Sequence, residues 1–593
     1  MKNLRTLNIK SLKLFNGVLQ KGIANLVVDY NHGVVIEGGA VWAKEDIDDY
    51  LNQSALDGEA LNKTFHKSWS VIKESTREEL LVHQILHYLT GYGTNFEGEV
   101  YIPSEALNVP QKLTFKVIKA MTKEELSDEC INLLRSGIAL AEETLDDIME
   151  ILNGLAYTFT GEEGIRNKEA IVKIADTFGV YPSSPTEFLR YVIYKAVDET
   201  LLIKNKELVD KLNQTSYNPQ ALFEEFGLEK LAEIFNRFKP LFLAFKGKCP
   251  STINKISRLS KKHHKPMVQN PLNMVTSRPL TGKDDHWLDN ATPFSLFKAL
   301  EACHARMLGQ EAFVHRIRNG KSWVRTGTTD PELNKENYLY LVKYMKGRFD
   351  FEGKKVYNPS NVKYALPTSE KMYVGNFPTG TKFFGDKLAA GVYWENSWGA
   401  SDIDVSGMNI SGKIGWNSSY YQRDSLMYSG DITDAPNGAV EYLWAKHDTE
   451  IEPTLLMSNV YCGEADCKYK IVVGNGADID GEYMMNPNEV LAEAACQSVQ
   501  KQTVLGMFTQ DQDRVCFTLL NFGAGQARVS GNSEVSTVAT KALYEQWANN
   551  ITLDALLSFL GAEVHYEESE EVAFDIDLSV DKLDKTSIIK LFN

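Results

Sequence analysis

Three textures of hydrophobic and polar positions follow one another along the chain. Over residues 1–120, short alternating runs such as NLVVDY, GVVIEGGAVW and EVYIP predict strands. Among them lies a helix whose start carries Ser75 and Glu78 in a capping-box spacing. The expectation there is a small α+β domain. From residue 121 to about 345, apolar positions recur at three and four spacing in KEELSDECINLLRSGIAL, EETLDDIMEILNGLAY and PTEFLRYVIYKAVDETLL, which predicts an all-helical domain. Over 346–535, strands as short as KVYN, KIGWN and AVEYLWA alternate with Gly, Pro, Asn and Asp, the pattern of a β-sandwich. Residues 536–593 read as an extension of helix, acidic strand and a last short helix begun by Ser579 as its cap. The fold class is therefore multidomain α+β.

A length of 593 residues agrees with more than one core. Lys and Arg number 63 against 79 Asp and Glu, a net charge of −16, so the chain as a whole is no general polyanion binder. Seven scattered cysteines, an odd number, do not form the framework of a secreted domain, and a reducing cytoplasm is expected. Lys10 and Lys13 interrupt the apolar stretch that a signal peptide needs, and no apolar run reaches membrane-spanning length, so no membrane partner is expected.

Candidate chemistry concentrates in residues 394–441. Asp402, Asp404 and Ser406 followed by Gly407 give the first half of an EF-hand loop, D-x-D-x-S-G. The second half fails, because the position of the bidentate Glu is occupied by Lys413. Oxygen ligands for a hard cation are instead offered by a second turn, GDITDAPNG, with Asp431, Asp434 and Asn437, and by Glu441 just beyond it. Two acidic turns brought together need a cation to offset their repulsion. The same residue types also serve plain hairpin turns.

The runs DIDVSGMNISGKIGW and YSGDITDAPNGAVEYLWA resemble the TerD family of tellurite-resistance and stress proteins over residues 385–475. The family's domain is a β-sandwich with a D-x-D-x-S strand and a later acidic loop. The resemblance implies Ca²⁺ binding in stress-response or phage-defence complexes without catalysis. Asp402 and Asp404 match the family's first acidic pair, and Gly430 and Asp431 match the start of its second loop. Where the family continues with consecutive acidic residues, this chain has Ala435, Pro436, Asn437 and Gly438 before Glu441.

Two further features carry alternatives. His83 and His87, four apart on the capped helix, have the spacing of a Zn²⁺ site and would suit a metal-dependent hydrolase. The zincin base is replaced by Gln84, which cannot take a proton from water, and packed histidines are the commoner outcome. Cys462 and Cys467 have no second pair to close a tetrahedral site and read as strand-end thiols.

Residues 240–329 hold 15 Lys and Arg against 5 Asp and Glu, a local charge of +10 that leaves −26 for the rest. Lys255, Arg258, Lys261, Lys262 and Lys265 form its first cluster. Arg316, Arg318, Lys321 and Arg325, around Trp323, form the second. Basic residues beside an aromatic suit RNA, but they equally suit the chain's own acidic stretch near residues 567–577. The function expected is thus a non-enzymatic calcium-binding scaffold that works through protein partners or self-assembly, with RNA binding as the alternative.

Overall fold

The computed structural model describes residues 2–29, 34–54, 116–200, 202–263, 274–282, 287–316, 322–410, 412–415, 422–423, 426–436, 438–446, 451–479, 482–498, 500–525, 541–569 and 572–592. The chain is mixed α+β with several sheets. Near its start, Gly17–Leu19 and Val34–Ile36 both pair in parallel with Lys116–Met121, and Val27–Asp29 closes the sheet at one edge. Leu12, Val18, Ile36, Ile47 and Ile118 fill the space between this sheet and helices Lys2–Phe15 and Lys44–Ser54. Lys10 and Lys13, breaks in an apolar run when seen in sequence, instead join the first helix to Asp147 on helix Glu142–Gly154.

A succession of amphipathic helices follows. The first, Lys123–Arg135, opens with a complete capping box formed by Thr122 and Glu125, so two of its orphan backbone donors are satisfied. Helices between Lys168 and Leu259 enclose a core of their own around Phe188, Phe223, Phe235, Phe242 and Ile253. The stretch expected to be all helical contains a β-hairpin, Ala312–Arg316 against Ser322–Thr326, where aromatic and β-branched residues favour strand.

Two large antiparallel sheets dominate the second half. One has seven strands, in the order Lys413–Gly415, Ala400–Met408, Thr454–Gly463, Gln502–Asp511, Arg514–Gly525, Lys382–Gly385 and Val362–Lys363. The other has six, in the order Gln422–Arg423, Leu426–Tyr428, Ala439–Lys446, Lys387–Trp394, Lys468–Ile479 and Glu482–Gln497. Ile403, Val405 and Leu456 from the first sheet and Val392, Leu443 and Ile471 from the second belong to one buried cluster. Gly391 is required in the central strand: a Cβ there would lie 1.9 Å from the Glu441 carbonyl oxygen.

The C-terminal extension returns to both halves. Leu543 and Trp547 pack against Met408, Met457, Val504 and Phe522 of the seven-stranded sheet. Glu563–His565 and Ile576–Asp577 flank Lys355–Tyr357 in a small parallel sheet. The end of the acidic stretch, Asp575 to Asp577, thus pairs through its backbone with residues 355–357. Helix Lys585–Lys590 is capped by Asp584, whose side chain accepts the Ser587 N–H. Ser579 is not its cap, since the intervening residues turn before the helix begins and its hydroxyl donates to Asp577.

Candidate metal centre

Strand Ala400–Met408 alternates Ile403 and Val405, buried toward the second sheet, with Asp402, Asp404 and Ser406. A register irregularity lies at Asp402, where the strand leaves regular pairing with Thr454–Gly463. Bulges of this kind re-aim side chains at sheet edges. The turn over residues 429–436 brings Asp431 to the same place. One carboxylate oxygen from each of Asp402, Asp404 and Asp431 lies within 4.8 Å of the other two. Oxygens bound to one Ca²⁺ at about 2.4 Å span at most about 4.8 Å, so three carboxylates so placed fit one cation.

The electrostatics describe a site short of positive charge. Burial, which leaves Asp402 only 5% of its surface, and then the neighbouring Asp431 push its carboxyl up to about 6. Burial, Asp402 and Asp431 together push Asp404 up to about 7, with Lys413 pulling it back. Lys413, the residue that spoils the EF-hand pattern, thus faces the site from the neighbouring strand, and burial moves its own pKa down. Asp431 is exposed, which opens the group to solvent on one side.

Asp402 Oδ1 is buried without a hydrogen-bond partner. Asn459, directly across the sheet from Asp404 and fully buried, also leaves its Oδ1 unpartnered while its Nδ2 donates to Ser406 Oγ at 3.1 Å. Unsatisfied buried acceptors are uncommon, and an oxygen-ligated cation is what such acceptors lack. Asn459 is a candidate ligand that motif reading missed. The signal available was the polar pair Ser458 and Asn459 within the strand run TLLMSNVY, opposite D-x-D-x-S.

The remaining predicted ligands are placed differently. Glu441 is fully buried, and its oxygens accept Val405 N–H at 2.9 Å, Tyr428 O–H at 2.6 Å and Ile432 N–H at 2.7 Å. It holds the turn carrying Asp431 rather than joining the three carboxylates. Asp434 is exposed and accepts Asn396 Nδ2 at 2.7 Å. Asn437, His83 and His87 lie outside the described residues.

Of the basic residues, Lys255 and Arg258 are exposed on helix Pro250–Leu259, and Lys261 and Lys262 are exposed on the 3-10 turn after it. Arg325 is exposed on the hairpin strand Ser322–Thr326, and Arg316 ends the strand opposite. Lys265, Arg318 and Lys321 lie outside the described residues. Cys462 is exposed near the end of its strand, and Cys467 is buried just before the next; both are free thiols. Among the described residues no helix is long and apolar enough to cross a membrane.

No protein-family model matches the chain, and no curated protein matches it.

Proposed function

We propose that the chain is a non-enzymatic calcium-binding interaction protein whose two large sheets stack as a TerD-like β-sandwich. The observation that carries this reading is the convergence of Asp402, Asp404 and Asp431 within 4.8 Å, with a buried Asp402 oxygen left unpartnered. Three carboxylates and a carbonyl-type oxygen suit Ca²⁺, which tolerates irregular coordination, better than Mg²⁺, which demands an octahedron. Water completes the shell on the open side at Asp431.

A cation bound there offsets the mutual repulsion of the three side chains and fixes the turn over residues 429–436 against strand Ala400–Met408. Ordering that end creates a rigid surface for a protein partner, or for another copy, in a stress, defence or phage-associated complex. Calcium titration followed by melting temperature tests the proposal. A ligand at 100 times its Kd adds about 2.7 kcal/mol to stability, and no shift in millimolar Ca²⁺ overturns it. Elemental analysis for calcium against zinc separates it from a hydrolase built on His83 and His87.

A second reading, RNA binding, draws on the exposed row Lys255, Arg258, Lys261 and Lys262. Salt-dependent RNA retention, abolished by reversing Lys261, Lys262, Arg316 and Arg318 together, supports it; retention indifferent to those changes removes it.

A further inference from the structure

A cavity of about 430 Å³ lies between helix Pro293–Met307, the hairpin Ala312–Arg316/Ser322–Thr326 and the segment 545–551. That volume is within the range of small-molecule sites. Its wall is mixed in a definite way. Phe313 and Trp547 supply flat apolar surface, and the buried indole N–H of Trp547 has no acceptor. Arg306 and Arg325 reach it from the helix and from the hairpin; the Arg306 guanidinium lies over the Phe313 ring, 4.4 Å from its centroid, and donates to the Ala302 carbonyl at 3.0 Å, and burial, then the charge of Arg325, moves its pKa down.

The carboxyls in the lining oppose this positive charge only in part. Glu301 is the carboxyl on the same helix face, but loss of water pushes it up to about 8, with Lys298 one turn earlier drawing it only part of the way back. Glu545 at the rim is already within 3.9 Å of Lys541. His304, also in the lining, is made harder to protonate by burial. Two guanidinium groups facing one partly buried space attract each other's counter-ion, and the planar fork of arginine matches carboxylate or phosphate oxygens.

We infer that this cavity binds a small oxyanion carried on a flat apolar body, an aromatic carboxylate or an aryl phosphate ester. The oxyanion sits between Arg306 and Arg325, and the ring lies against Trp547. This inference is independent of the calcium site.

Calorimetric titration of the full chain with benzoate, phenyl phosphate and neutral benzamide tests it. Either anion binds, and benzamide, isosteric with benzoate, binds at least about tenfold more weakly. Arg325 is exposed, so R325Q keeps the wild-type melting temperature and weakens the anion about tenfold. R325K, which keeps the charge but not the planar fork, weakens the anion less than R325Q does without restoring wild-type affinity. Benzoate heats show that the site takes carboxylates, and phenyl phosphate heats alone show that it takes phosphate esters. Equal affinity for benzamide, unchanged affinity in R325Q, or no heat with any of the three compounds overturns the inference.

Discussion

Glu441 Oε2 accepts the Val405 backbone N–H at 2.9 Å, tying a strand of the six-stranded sheet to the second strand of the seven-stranded one. The same oxygen takes the Tyr428 hydroxyl, and Oε1 takes the Ile432 N–H beside Asp431. An amide in place of the carboxylate presents two donors where three donors already point. In E441Q at least one buried backbone N–H loses its acceptor, a cost of about 1–3 kcal/mol. Denaturant melts of E441Q are expected to show that loss. Because Ile432 anchors the turn, Ca²⁺ affinity in E441Q also falls by about tenfold or more, whereas D434N, altering a side chain bonded to Asn396, leaves it nearly unchanged.

The three carboxylates predict a pH dependence of opposite sign to a salt-bridged pair. Their folded-state pKa values are raised, so their contribution to stability is complete below about 3.8, the value Asp has unfolded. It is lost as pH rises through about 6 for Asp402 and about 7 for Asp404. Metal-free protein should therefore lose stability between pH 4 and pH 7.5. The loss is on the order of 1–2 kcal/mol, less than the full shift implies, because Asp431 opens the group to water. Saturating Ca²⁺ should remove the slope, and D404N should flatten it without metal. A flat profile in the metal-free wild type contradicts the electrostatic account.

How far the site could be read in the sequence follows from which contacts are local. Asp402, Asp404 and Asp431 sit in turn and strand signatures whose residue types already suggest a hard cation. Glu441 carries the same residue type, but its role depends on Val405 and Ile432 approaching from two other elements, which no spacing encodes. The helical run was visible through its 3.6-residue period, down to the capping box at Thr122. Strand Gln502–Asp511 was less visible, because it is buried along nearly its whole length and shows no in–out alternation. Within it, Gly506 lacks a Cβ because Phe517 occupies that space at 2.2 Å. Strand Glu482–Gln497 was hidden by Pro487 and its glutamates, residues a central strand rarely holds, and it lies at a sheet edge where they are tolerated.

Asn337 is a second residue whose weight is tertiary. On helix Pro331–Arg348 and almost fully buried, it accepts Leu280 N–H at 2.9 Å and donates to the carbonyls of Val275 at 2.6 Å and Arg278 at 2.8 Å. Every polar site on its amide is engaged with the backbone of one loop. N337A orphans three groups at once and should cost about 3 kcal/mol or more, whereas N337D keeps the acceptor and still loses both donors. Urea denaturation should rank the wild type above both variants. A loss below about 1 kcal/mol in N337A indicates that the loop finds other partners.

The N-terminal helix is held by a shared carboxylate. Asp147, 5% exposed, accepts Lys10 Nζ at 2.6 Å through one oxygen and Lys13 Nζ at 2.9 Å through the other. Burial pushes both lysines down, but their bonds to Asp147 and to Glu150 or Glu143 outweigh it, and both end above the usual lysine value. Their contribution is therefore complete below pH 10.5 and is lost only as pH rises beyond it, so it is constant near neutrality. D147A should cost about 2–3 kcal/mol, since it leaves two partly buried cations with weaker partners. In a double-mutant cycle, K13A should cost less in the D147A background than in the wild type by about 1 kcal/mol. Additive effects would mean that the helix is fixed by its apolar face, through Leu7 and Leu14, and not by this ion pair.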